Sequence, residues 1–89
     1  MIEIGRTNQF KRDIKKIQKR NKNIDKLKEI IDFLSNEEEL PPKYKDHKLT
    51  GNYIGRRECH IEPDWLLIYK KEEDKIILER TGRHSDLFL

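Results

Sequence analysis

Residues 53–81 run YIGRRECHI, EPD, WLLIYKK, EED, KIILERT. Three segments rich in aromatic and branched side chains alternate with two short polar breaks, Glu62-Pro63-Asp64 and Glu72-Glu73-Asp74. That pattern predicts three strands in an antiparallel meander. A sheet of this size needs a cover, and the first half of the chain supplies one. Phe10, Ile14 and Ile17 recur at helical spacing from about Asn8 to Arg20, with Thr7 or Asn8 as cap. Asn21-Lys22-Asn23 breaks the pattern, and Leu27, Ile30, Ile31 and Leu34 mark a second helix with Asn23 as N-cap. The short connection implies an antiparallel helical hairpin. Glu37-Glu38-Glu39-Leu40-Pro41-Pro42 ends it, because paired prolines disfavour further helix, and a loop follows to about Gly51. Ile2 and Ile4 flank Glu3 as a short edge strand before Gly5. The sum is one α+β domain over residues 1–89. A short N-terminal strand and a helical hairpin pack on one face of a small antiparallel sheet, a short C-terminal segment follows, and the other face stays open to ligand.

The bulk composition narrows the function classes. With 89 residues the chain builds only a modest core. It is 34% hydrophobic and 42% charged, yet its apolar residues are periodic, which favours a folded domain over disorder. The net charge of +3 understates a local excess, since the stretch from Lys11 to Lys28 is crowded with lysine and arginine and has only Asp13 and Asp25 as acids. A strip carrying Lys11, Lys15, Lys16, Lys19 and Arg20 suits a polyanion or an acidic protein segment, or is simply a solvated helix face. The single cysteine, Cys59, forms no internal disulfide and belongs to no zinc pattern, which fits a reducing cytoplasm. The first residues lack the features of a signal peptide and no stretch approaches a membrane span, so a soluble, cytoplasmic protein without a membrane partner is expected.

All three histidines, His47, His60 and His84, lie in the second half among acids and arginines. Their ordinary pKa lies near neutrality, so together they can move protons at cellular pH. Along an extended strand Arg56, Glu58 and His60 point to one face, and Arg57, Cys59 and Ile61 to the other. On the open face His60 would stand beside a carboxylate that orients it and an arginine that holds a phosphate; the plainer alternative is a surface row of ion pairs. Asp64 has a turn role open to it as well as a site role. Trp65 is either core or a platform for a base, and Phe88 either fills the core or folds back over the sheet with His84 and Arg83 after Gly82. The spacing lacks a His-x-x-x-His pair or Cys/His cluster, so no metal or other cofactor is expected. Cys59 and His60 diverge as strand neighbours, which weakens a thiol-imidazole nucleophile. Without a glycine-rich phosphate loop, nucleoside-triphosphate chemistry is disfavoured. RNA cleavage through the ribose 2′-hydroxyl suits what remains: a base takes its proton, an acid protonates the departing 5′-oxygen, and cations stabilise the phosphorane.

The string Lys45-Asp46-His47, Leu49, Gly51, Gly55, Arg57, His60, Pro63-Asp64-Trp65, Leu67, Tyr69-Lys70, Glu79-Arg80-Thr81-Gly82, His84 and Leu87-Phe88 resembles the YafQ family of RelE-like toxins of bacterial type II toxin-antitoxin systems. The resemblance is loose in the helices and close from Tyr44 onward. It implies a ribosome-dependent mRNA endonuclease that cuts the transcript in the decoding site and is restrained by a DinJ/RelB-like antitoxin. DNA would be met only through the toxin-antitoxin complex. Carried over by position, the site comprises His47, His60, Asp64 and His84, with Phe88 helping to place the RNA; Arg56, Trp65 and Arg83 are further candidates for substrate contact, and the basic helix strip meets ribosomal RNA. His84 is the expected general acid, with Asp64, His47 or His60 as base. Glu58 departs from the aspartate that the family places there. Two other readings remain: a non-cleaving ribosome- or RNA-binding module, and a ribonuclease that needs no ribosome.

Overall fold

The computed structural model describes residues 2–88. In chain order the elements are β1 (Glu3–Arg6), α1 (Asn8–Lys19), α2 (Ile24–Ser35), β2 (His47–Lys48), β3 (Arg57–Glu62), β4 (Trp65–Lys71), β5 (Lys75–Gly82) and α3 (His84–Leu87). Short 3-10 turns at Pro42–Tyr44 and Gly51–Tyr53 flank β2. The five strands form one sheet in the order β1-β5-β4-β3-β2. The predicted meander is β3-β4-β5, with antiparallel pairing throughout. β1 lies at the edge, as expected, but runs parallel to β5. The sheet is therefore mixed, because the chain leaves β1 through the helical hairpin and returns to pair with it only in the last strand.

Both helices begin where side-chain caps were anticipated. The Thr7 hydroxyl accepts from Phe10 N at 3.0 Å, and Asn23 accepts from Asp25 N at 3.0 Å. Their apolar stripes, Phe10 and Ile17 on α1 and Leu27, Ile30 and Leu34 on α2, join Cys59, Ile61, Trp65, Leu67, Tyr69, Ile76 and Leu78 in the main core. Alternation sends the other strand residues to the opposite face. There Leu66, Ile68 and Leu87 form a small second cluster, with Leu49, Tyr53 and Phe88 against it.

Two departures from the sequence reading shape that second face. The strand expected from Tyr53 begins only at Arg57, because Gly55 adopts φ +86 and turns the chain before it can pair. The expected loop also contains β2, whose two residues pair with Glu58 and Arg57. Two-residue strands carry too little periodicity to be read from sequence.

Candidate active site

The strand register aligns the site. His47 pairs with Glu58, Glu58 with Ile68, and Ile68 with Arg80. Directly paired residues share a face, so these four side chains form a row across the side opposite the helical hairpin. The next row is His60, Leu66 and Gly82. At roughly 4.8 Å per strand step, His60 and Gly82 stand about 10 Å apart, with the Leu66 side chain as floor between them.

On one side of this floor three titratable groups converge. Nε2 of His47 lies 3.4 Å and Nε2 of His60 3.3 Å from the same oxygen, Oε1 of Glu58. The Glu58 side chain is only 8% exposed, so its charge is directed at the two imidazoles rather than at water. The His47 and His60 ring centroids are 6.4 Å apart. Nδ1 of His47 is 2.8 Å from Lys45 O, which can only accept; Nδ1 therefore carries a proton and Nε2 is the exchangeable position.

On the other side α3 carries His84 at its first position. The His84 ring lies against Phe88 with centroids 4.8 Å apart, and Phe88 meets Tyr53 edge-on at 5.4 Å. Tyr53 donates its hydroxyl to Leu87 O at 3.0 Å, which pins the C-terminal turn to the loop ahead of β3. Asp64, exposed in the β3-β4 turn, accepts from His84 N across 3.5 Å. Asp86 anchors α3 from below by accepting from Arg20 at 2.8 Å and from Arg83 N at 2.9 Å. The Arg20 guanidinium, aided by Arg83, holds the Asp86 carboxyl down to about 2.

The candidates separate accordingly. His47, His60, Asp64, His84 and Phe88 all border the open face. Trp65 does not: it is fully buried on the helix side, where its indole donates to Thr81 Oγ1 at 2.9 Å, so it supports the sheet and has no surface for stacking on a base. Arg56 precedes β3 and pairs with Glu79 at 2.9 Å, one row beyond Glu58 and away from His60. Arg20 is engaged by Asp86, whereas Lys11, Lys15, Lys16 and Lys19 are exposed. Arg83 is half-exposed beside Asp86. Cys59 faces the core, and burial pushes its thiol pKa far up, which removes it as a nucleophile. Among the described residues no group of three or more histidine, cysteine or acidic side chains is arranged to hold a metal ion.

Sequence reasoning missed two members, Tyr53 and Arg80. Arg80 lies in the Glu58 row, and Tyr53 stands beside its guanidinium. Both occur in or next to the matched string, but only the register shows that they share a face with the histidines.

A sheet clad on one side by a helical hairpin and lined on the other with histidines defines a class, a small α+β bacterial toxin: the family described as bacterial toxin of type II toxin-antitoxin system, YafQ, matches residues 2–89. The chain belongs to the YafQ toxin family. The mRNA interferase toxin YafQ of Escherichia coli strain K12 is 45% identical over 87 residues, covering 97% of this chain and 95% of that protein. The crystal structure of YafQ from E. coli strain BL21(DE3) agrees with a TM-score of 0.95 at 42% identity, covering 100% of both chains. A chain of the E. coli DinJ-YafQ toxin-antitoxin complex agrees with a TM-score of 0.92 at 44% identity over 99% of this chain and 98% of that one.

Proposed function

We propose that this chain is an mRNA interferase that cuts messenger RNA in the ribosomal decoding site, using its own side chains as acid and base and the ribose 2′-hydroxyl as nucleophile. The observation that carries the reading is the pair of imidazoles on Glu58, on the sheet face the helical hairpin leaves open, with His84 beyond an apolar floor on that same face. In-line displacement needs a base on one side of phosphorus and an acid on the other. His60, oriented by Glu58, takes the 2′-hydroxyl proton with His47 beside it. His84, held by Asp64 and Phe88, protonates the leaving 5′-oxygen. Arg80, on β5 in the Glu58 row, supplies the charge that the phosphorane needs. Phe88 offers a face for a base.

His47, Asp64 and His84 all lie exposed at the surface of this face. That favours a substrate already held by the ribosome, and it is why ribosome dependence belongs to the reading. The exposed lysines of α1 meet ribosomal RNA. They also rim a cleft of about 360 Å³ between α1 and α2, floored by Phe10, Ile14 and Ile31 and edged by Lys11 and Lys15. An apolar floor with a basic rim suits an acidic amphipathic segment of a DinJ-like antitoxin.

Primer extension on a defined mRNA, with and without programmed ribosomes, tests this. New 5′ ends only with ribosomes are expected. Ends on naked RNA would favour a free ribonuclease, and ribosome binding without ends would favour a blocking module.

A further inference from the structure

We propose that Asp13 of α1 is a positioning residue that holds the Arg80 guanidinium at the cleavage site through a bulge in β5 tied to Thr7. The proposal rests on the reading of the open face as an mRNA-cleaving site.

The register of β5 decides which way Arg80 faces. Leu78 pairs with Tyr69 and faces the helix-side core. In an unbroken strand Arg80, two residues on, would face the same way. The register shifts between Ile68 and Tyr69, so that Glu79 is inserted and Arg80 pairs with Ile68 instead. The bulge therefore turns Arg80 toward the open face at the edge of β5 that β1 leaves unpaired beyond Leu78, and from that edge its guanidinium reaches α1. Three bonds secure it: Thr7 N donates to Leu78 O at 3.1 Å, the Thr7 hydroxyl donates to Glu79 O at 2.9 Å, and Arg56 pairs with the Glu79 carboxylate at 2.9 Å.

Asp13 then fixes the side chain. It is 2% exposed and lies within the apolar stripe of α1, between Phe10 and Ile17. Its Oδ2 accepts from Arg80 Nε at 2.8 Å and from Thr81 N at 3.1 Å; its Oδ1 accepts from Arg80 Nη2 at 3.3 Å and from Gln9 Nε2, one turn back on α1, at 3.1 Å. A two-point bond sets the plane of a guanidinium as well as its position. A charge in a buried stripe is costly where an apolar residue would pack, and here Arg80 is the one charged partner of that carboxylate, beside the Thr81 amide and the Gln9 side chain. Nη1 is the nitrogen Asp13 does not take, and it remains to meet a phosphate oxygen beside Tyr53.

Single-turnover cleavage on programmed ribosomes distinguishes positioning from mere tethering of α1. Asp13→Asn should lower the maximal rate by about 10- to 100-fold, while the half-saturating toxin concentration and the folded spectrum stay unchanged. Non-denaturing guanidinium should restore part of the rate of Arg80→Ala, in which Asp13 still offers its two oxygens, but none of the rate of the Asp13→Asn, Arg80→Ala double variant. A folded Asp13→Asn protein that cuts at the wild-type rate, or equal rescue of the single and double variants, would overturn the proposal. Should Asp13→Asn fail to fold, Thr7→Ser keeps the hydroxyl tie and should retain the rate, whereas Thr7→Val should lose it; equal rates for the two would overturn it as well. Wild-type protein that yields no ends would sink the cleavage reading and this proposal together, whereas normal wild-type cleavage with unaffected variants would sink this proposal alone.

Discussion

Glu58 brings one carboxylate oxygen within 3.4 Å of two imidazole nitrogens, and on the proposed reading it orients both rings as the aspartate of a serine-type site orients one. Removing it by Glu58→Ala should lower the cleavage rate without weakening ribosome binding, and Glu58→Gln, which keeps an acceptor but loses the charge, should fall between. Matched single-turnover rates for the three proteins check this; equal rates would show that Glu58 does not serve the imidazoles. His84→Ala should remove about two to four powers of ten in rate, with the far-ultraviolet spectrum unchanged because His84 is exposed. Cys59 gives a control of opposite kind. Its thiol is buried and its pKa is pushed up by desolvation, so a thiol reagent should label the native protein far more slowly than the urea-unfolded chain. Fast native labelling would contradict the burial. At this scale the three histidines stood out by residue type, whereas Asp64 and Phe88 entered the candidate site only through the resemblance to the YafQ family. Arg80 was not legible, since its facing depends on a one-residue bulge that reverses the alternation, and no residue type signals that.

α3 is a four-residue helix, too short to persist by itself, and it carries the proposed acid. Its docking rests on Tyr53 to Leu87 O and on Asp86 to Arg20 and Arg83 N. The Asp86 carboxyl lies at about 2 against an ordinary value of 3.8, mainly because of Arg20. A depressed carboxyl pKa stabilises the docked state fully above the ordinary value and loses that contribution as pH falls toward the lower one. The amide resonances of residues 84–87 should therefore hold still at pH 5 and shift as pH drops from about 4 to about 2, and Asp86→Asn should abolish that transition while loosening α3 at neutral pH. Unchanged resonances down to pH 2 would contradict the anchor. A second constraint lies at Gly82, where an added Cβ would sit 3.1 Å from Asp86 Oδ2, so Gly82→Ala should displace the same turn. The helical hairpin and the meander were readable from period and turn residues, because long amphipathic segments repeat their signal. β2 and α3 were not, since two and four residues are too few to repeat any pattern.

Across the whole molecule, function divides by face. The helix side has the main core and the basic strip; the opposite side carries the proposed chemistry. If the strip meets ribosomal RNA, the logarithm of affinity for ribosomes should fall linearly with the logarithm of salt concentration. Replacing Lys11, Lys15, Lys16 and Lys19 with glutamine should flatten that slope by about 0.7 to 0.9 for each phosphate no longer neutralised. The maximal rate of bound toxin should stay the same. A slope unchanged by the four substitutions would assign the strip elsewhere. The α+β plan with one open sheet face was legible because strands and helices each needed a partner to bury their apolar sides. The parallel pairing of β1 was not, since four residues with one alternation fix neither neighbour nor direction.

Attack by the ribose 2′-hydroxyl, driven by groups of the open face, is the step on which every assigned role depends. The most direct test is single-turnover cleavage of mRNA on programmed ribosomes in which only the nucleotide 5′ to the cut carries 2′-deoxyribose. That one change should abolish cleavage there, while the all-ribose transcript is cut to a 2′,3′-cyclic phosphate end with or without chelator. Cleavage of the deoxy-substituted transcript at the normal rate would mean that water or another nucleophile attacks the phosphorus, and the assignment of acid and base would fall.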